Sequence, residues 1–145
     1  MVADTLAKFV LENYRKYGDS KVAMRKKDFG IWNEYTWKDS YEHMKRFSLG
    51  LVSLGFKPGD KATLVGDNDP QLYWGEWGVQ CIGGAVACLY VDGLPQEFQY
   101  IIGHSESKFV FAKDQEQVDK ILMVKKDLLV VLKSLLIAYI YVKLH

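Results

Sequence analysis

Only two cysteines and three histidines occur in 145 residues, and each scarcity removes a class of function. Cys81 and Cys88 cannot supply the four ligands of a structural zinc site, and no histidine lies near them in sequence. The N-terminus, MVADTLAKFV, lacks the basic-then-apolar layout of a secretory signal. The expected setting is therefore a reducing one, intracellular, cytoplasmic or peripheral to a membrane, with both cysteines buried as small hydrophobes. His43, His104 and His145 are scattered, so no pair has metal-ligand spacing on one helix face.

An excess of positive charge is also missing. Nineteen basic residues stand against eighteen acidic ones, for a net charge of +1, and no basic stripe is present to neutralise the phosphates of a nucleic acid. Nucleic-acid partners are excluded on that ground. Phosphate cradles need glycine-rich sequence, usually with a lysine, so that several backbone N–H groups converge on one anion. This chain has neither the Walker pattern nor the dinucleotide fingerprint. Its densest glycines, Gly75, Gly78, Gly83 and Gly84, straddle one expected helix and its end, where helix termination and close packing account for them.

What the chain does contain is a globular composition, 49% hydrophobic and 26% charged, enough for one hydrophobic core. Trp32, Trp37, Trp74 and Trp77 sit in apolar patterns without interleaved arginine, which points to core packing rather than base stacking. Leu6, Phe9, Val10, Tyr14 and Tyr17 recur at helical spacing, with Asp4 placed to cap the start and Gly18 the end. Val22–Lys27 and Ile31–Trp37 flank Asp28-Phe29-Gly30 as a β-hairpin. Thr36 with Asp39 three residues on marks the capped start of a half-buried helix, ended by Gly55 with Pro58 beyond.

Lys57-Pro58-Gly59-Asp60 then turns into a buried strand, Ala62 to Val65. Asn68-Asp69-Pro70 opens the next helix, with a side-chain cap just before proline at the first helical position. That helix runs to about Ile82, and Ala85 to Val91 reads as a strand covered on both faces. Pro95 opens a further helix ending near His104, Lys108 to Ala112 is the next strand, and Gln115 to Leu122 begins another helix. Strands alternating with long helices require crossover connections. The expected fold is α/β: an N-terminal helix and β-hairpin, then three helix–strand units forming a mostly parallel sheet.

Most candidate reactive residues have structural explanations. His43 lies beside Glu42 on an expected solvated face, and His104-Ser105-Glu106 closes a helix. A serine next to a histidine in sequence is not a nucleophile–base pair, which requires spatial geometry and a third orienting group. Asp67, Asp69 and Asp92 follow strands near their carboxyl ends, where α/β sheets place ligands. Helix capping accounts for Asp69 and turn formation for Asp92. No catalytic, cofactor-binding or metal residue is assigned.

From Met123 the chain changes character. MVKKDLLVVLKSLLIAYIYVKLH has no acidic residue after Asp127, no glycine and no proline. A membrane helix needs about 20 mostly apolar residues, whereas Leu128 to Val142 supplies fifteen, interrupted by Lys133 and Ser134. A lysine inside such a segment costs about 3 kcal/mol on insertion. Membrane association through this tail stays open, and an exposed β-branched run of this kind is an aggregation hazard.

Several ordered stretches carry a family resemblance over Leu6 to Leu122. These are Tyr35-Thr36-Trp37; Leu54-Gly55, followed after two residues by Pro58-Gly59-Asp60; and Cys81-Ile82-Gly83-Gly84-Ala85-Val86, leading through Leu94-Pro95 to His104-Ser105-Glu106-Ser107-Lys108. Together they resemble the N-terminal part of the adenylate-forming (AMP-binding) synthetases, within them the long-chain fatty acyl-CoA ligases. The resemblance implies a two-step ligation: fatty acid and ATP give acyl-adenylate and pyrophosphate, and the CoA thiol then displaces AMP. It also implies parts not found in this sequence: the Ser/Thr/Gly-rich phosphate loop, the aromatic-Gly-x-Thr-Glu segment for Mg-ATP, the ribose-binding Asp, and the C-terminal subdomain with its catalytic Lys. Cofactors are therefore expected of the full-length family (ATP, magnesium, CoA) and not of this chain.

The expected domain plan is residues 1–122 as the N-terminal part of the synthetase domain, incomplete relative to the family, and 123–145 as an atypical apolar tail from a shifted frame, an unspliced intron or a misjoined gene. Three readings follow. The chain is a portion of a long-chain ligase that is inactive alone, a noncatalytic module pairing through exposed sheet edges, or a small membrane protein anchored by its tail. In an intact enzyme Trp74 and Trp77 are candidates to line an acyl channel, with core packing as the alternative.

Overall fold

A computed structural model describes residues 3–128. They form two compact units, one built from the chain up to Lys57 with Asp69–Gly83, the other from Pro58–Asn68 with the chain from Gly84 onward.

The first unit begins with α1 (Leu6–Tyr17). Thr5, rather than Asp4, caps it by accepting from the Lys8 N–H at 3.3 Å. Asp4 instead pairs with the Lys8 ammonium at 2.5 Å, because a carboxylate one position too early meets the side chain four residues on. The hairpin follows as β1 (Val22–Asp28) and β2 (Ile31–Thr36), antiparallel, with Asp28 opposite Ile31 and Lys27 opposite Trp32. Both turn residues, Phe29 (φ 49°) and Gly30 (φ 85°), have positive φ, the conformation that matches a two-residue turn to the twist of its strands.

Helix α2 (Trp37–Ser53) starts with the expected capping box: Thr36 Oγ1 accepts from the Asp39 N–H at 3.2 Å, and Asp39 Oδ2 accepts from the Thr36 N–H at 2.8 Å. It ends at Leu54, with Gly55 at φ 87°. Helix α3 (Pro70–Cys81) packs on α2 at close range. A Cβ on Gly78 would stand 2.7 Å from Phe47 Cδ1 and 3.3 Å from the Met44 carbonyl oxygen. Ala7 and Val10 of α1 meet Met44, with Tyr41 and Trp77 against them, and the Tyr14 and Tyr41 rings stack at 4.3 Å. Leu6 and Phe9, counted on the same apolar face in the sequence, are exposed.

The second unit holds three parallel strands, β3 (Lys61–Val65), β4 (Ala85–Leu89) and β5 (Phe109–Ala112), in the order β4-β3-β5. Lys61 to Val65 pair with Ala85 to Leu89, and Ala62 to Val65 with Phe109 to Ala112. Helix α4 (Pro95–Ser105) and helix α5 (Gln115–Leu128) close over the face carrying Val65, Leu89, Val110 and Ala112, burying Phe98, Ile102, Val118, Ile121, Val124 and Leu128. Helix α5 continues past Leu122 to Leu128, and the rest of the apolar tail lies outside the described residues.

The α/β expectation therefore stands, with a three-strand parallel sheet and an antiparallel hairpin. Two local expectations do not. β4 is exposed or half-buried except at Leu89, so it is not covered on both faces, and Cys81 and Cys88 are both exposed rather than buried. Periodicity reports an apolar run but not which strand lies at the margin of a sheet.

Candidate functional site

Parallel sheets place ligands outside the carboxyl ends of their strands, and in the second unit that edge is made by the segments after Val65, Leu89 and Ala112. Charge is concentrated there. Lys113, whose N–H donates to the Val65 carbonyl at 2.9 Å, is carried to Asp67 and forms an ion pair with its carboxylate. Asp114 Oδ1 accepts from the Gln117 N–H at 3.1 Å and so caps α5. Lys120, one turn further on, donates to the Val91 carbonyl at 2.5 Å, pairs with Glu116 at 3.0 Å and lies 5.8 Å from the Phe98 ring. The loop before α4 is closed by Glu97, whose carboxylate accepts from the Leu94 N–H at 2.7 Å.

Asp67 and Asp92 thus stand where the sequence placed them, but Asp67 is engaged by Lys113 and Asp92 lies exposed in the turn before α4. Lys113 and Lys120 were not singled out from sequence, because an isolated lysine carries no pattern. Asp69 occupies the N-cap position of α3 without capping it. Its carboxylate pairs instead with Lys26 at 2.9 Å, while Asp28 stands 3.4 Å from the same ammonium. Burial disfavours the charged Lys26, but the hydrogen bond and charge of Asp69, with Asp28, hold its pKa above the ordinary lysine value.

His104 and Ser105 belong to the opposite edge. The Ser105 hydroxyl donates to the Ile102 carbonyl at 3.2 Å and lies 2.8 Å from Ser107 Oγ, which accepts from Thr63 Oγ1 at 2.8 Å. His104 stacks with Tyr100 at 5.5 Å. Helix termination and strand entry account for the group. His43 departs from its expected solvated position: its ring stacks on Trp74 at 4.0 Å and is half-buried. Burial, then the charge of Arg46, lowers its pKa against the opposing effect of Asp39. Trp74 is buried, with Tyr35 edge-on at 5.1 Å, and Trp77 packs beside Met44. Both are held within the first unit. Trp32 is exposed, against the expectation of core packing.

The sequence profile of the AMP-binding enzyme family matches residues 11–140. The chain belongs to that family. It is 26% identical over 86% of its length to the long-chain-fatty-acid–CoA ligase ACSBG1 of Rattus norvegicus, and 30% identical over 81% to 4-hydroxybutyrate–CoA ligase 2 of Metallosphaera sedula. It spans 17% and 21%, respectively, of those relatives. The solved anthranilate CoA ligase AuaEII, in complex with anthranoyl-AMP, superposes with a TM-score of 0.79 at 18% identity over 91% of this chain and 24% of its own. VinN superposes with a TM-score of 0.76 at 18% identity over 86% of this chain and 32% of its own. The fold is thus that of the N-terminal region of an AMP-binding enzyme.

AMP-binding enzymes work with ATP, magnesium and CoA, and the residues described here do not fit that set by themselves. Among them no group of three or more His, Cys, Asp or Glu side chains could hold a metal ion. At the carboxyl edge Asp67 is already in an ion pair and Asp114 in a helix cap, and no glycine-rich loop follows β3, β4 or β5. No reaction step is assigned to this segment. Among the described residues no helix is long and apolar enough to cross a membrane. The segment Leu128–Val142, on which the tail-anchor expectation rests, lies beyond them from residue 129.

Proposed function

We propose that this chain supplies the opening part of the N-terminal subdomain of an acid–CoA ligase of the long-chain fatty-acid type, and that it acts there as scaffold. In the complete enzyme the substrates are a fatty acid, ATP and CoA, joined through an acyl-adenylate. The observation that carries the scaffold reading is the carboxyl edge, where the Asp67–Lys113 ion pair and the Lys120–Val91 hydrogen bond each tie two segments of chain together and Asp114 caps α5. Adenylation makes its largest electrostatic demand on charge developing at the leaving pyrophosphate. Cations already neutralised by aspartate or held on a backbone carbonyl are poorly placed to meet it. The long-chain assignment is supported by the similarity to the ACSBG1 ligases, at 26 to 27% identity.

Two experiments test this reading. The purified chain, given a fatty acid and ATP, forms no acyl-AMP by hydroxamate trapping; detectable product overturns the scaffold role. A chimera in which residues 11–140 replace the matching stretch of a long-chain fatty-acid–CoA ligase retains long-chain activity. A folded chimera that activates only short acids overturns the substrate assignment.

A further inference from the structure

The β1–β2 hairpin ends in a combination of residues that neither folding nor the ligase reading explains. Its two-residue turn needs positive φ at both positions, which favours Asn-Gly or Asp-Gly. Here the first position is Phe29, at φ 49°, an uncommon conformation for a bulky residue that no side-chain hydrogen bond can offset. Packing does not compensate. Phe29 is fully exposed, and Ile31 and Trp32 are 69% and 61% exposed. Three large apolar side chains thus crowd into four positions at the projecting end of a ribbon.

Charge around the tip is distributed unevenly. Arg25 is paired with Glu34 at 2.8 Å, and Lys26 with Asp69 and Asp28. Lys27, opposite Trp32 in the ladder, has no carboxylate partner among the described residues and holds its ammonium 5.8 Å from the Trp32 ring. One uncompensated cation therefore stands beside an exposed indole, directly behind the apolar tip.

We propose that this hairpin tip is an interfacial membrane contact, in which Phe29, Ile31 and Trp32 enter the headgroup region of an anionic bilayer and Lys27 meets its phosphates. Tryptophan favours that boundary because its ring is apolar and its N–H is polar. A basic residue next to it gains from the negative surface potential of anionic lipid. Shape selects lipid over protein: a convex tip of three side chains falls far short of the roughly 1,000 Å² of a stable protein interface, whereas a fluid surface needs no complementary pocket. The ladder from Lys26 to Asp28 against Ile31 to Asn33, with the Asn33 amide donating to Asp28 at 3.2 Å, holds the tip in shape without the three apolar side chains. The inference rests on the hairpin alone and not on the acyl-CoA reading.

The test uses the full chain with vesicles of phosphatidylcholine, with and without phosphatidylserine, carrying brominated acyl chains. Phe29→Gly relieves the positive φ, so it preserves or raises thermal stability, yet it weakens vesicle partitioning about fivefold, as partial burial of one aromatic side chain implies. Trp32→Phe keeps partitioning and loses part of the bromine quenching of tryptophan fluorescence. Lys27→Gln removes the preference for phosphatidylserine. Absence of binding, partitioning unchanged in Phe29→Gly, or quenching unchanged in Trp32→Phe each overturns the proposal. So does a dimer, seen by sedimentation, that Phe29→Gly abolishes without any vesicle binding, because the tip is then a contact between copies.

Discussion

The hydroxyl of Ser48 on α2 stands 3.0 Å from the carbonyl oxygen of Gly78 on α3, while also reaching its own helix at Met44 O, 2.8 Å away. Gly78 lies among the last four residues of α3, whose carbonyls have no partner within the helix. A buried serine on the neighbouring helix supplies one. The contact forms only because Gly78 has no Cβ, since a methyl there would meet Phe47 and the Met44 carbonyl.

Gly78→Ala should therefore destabilise the protein. Alanine favours the helix by about 1 kcal/mol, but overpacking a tight contact costs typically 1–3 kcal/mol. Part of that is met by movement of the Phe47 ring, so a net loss of about 1 kcal/mol is expected in the urea midpoint. Ser48→Ala leaves the Gly78 carbonyl without its donor and should cost about 1–2 kcal/mol. If either variant melts above the native protein, the helices do not pack as described.

The capping box of α2 gives a second expectation. Thr36 and Asp39 satisfy each other's backbone N–H, so Thr36→Ala should cost about 1 kcal/mol, whereas Thr36→Ser should cost only a fraction of that. Chemical denaturation of the two variants side by side measures it. Equal losses would mean that the methyl group matters and the cap does not.

Much of the fold could be read from local chemistry because the decisive residues act on near neighbours. Thr36 caps three residues on, Gly55 ends the helix beside it, and Pro70 and Pro95 begin theirs. What could not be read depends on distant partners. Asp69 looked like a cap because Pro70 follows it, yet Lys26, far earlier in the chain, holds its carboxylate. His43, next to Glu42, looked solvated until α3 laid Trp74 over it. Cys88 sits in an apolar run that proved to be a marginal, half-exposed strand.

The His43 stack makes stability depend on pH. Its folded pKa is lowered from the ordinary histidine value by burial, with Arg46 adding and Asp39 opposing. Between the lowered folded pKa and the unfolded value the unfolded chain binds more protons, so stability rises with pH in that window. The contribution is complete above the unfolded pKa and is lost as pH falls through that value toward the folded one. Melting temperature should accordingly drop between about pH 8 and about pH 5, and His43→Phe, which keeps the stack but cannot titrate, should show a shallower drop. Parallel profiles for the two proteins would place the pH dependence elsewhere.

The Asp67–Lys113 pair separates scaffold from binding site at the carboxyl edge. Both side chains are partly exposed, so solvent screening limits the pair to less than about 1 kcal/mol. Lys113→Met should lower the denaturation midpoint slightly, and Asp67→Asn by a similar amount. The double variant should fall short of the sum, because the second change removes a partner already lost. In the ligase chimera both single variants should leave kcat and the KM for ATP unchanged if Lys113 serves only to tie β5 to the loop after β3. A folded Lys113→Met chimera whose KM for ATP rises would instead place this lysine against the nucleotide, and the carboxyl edge of this segment would belong to the binding site rather than to its support.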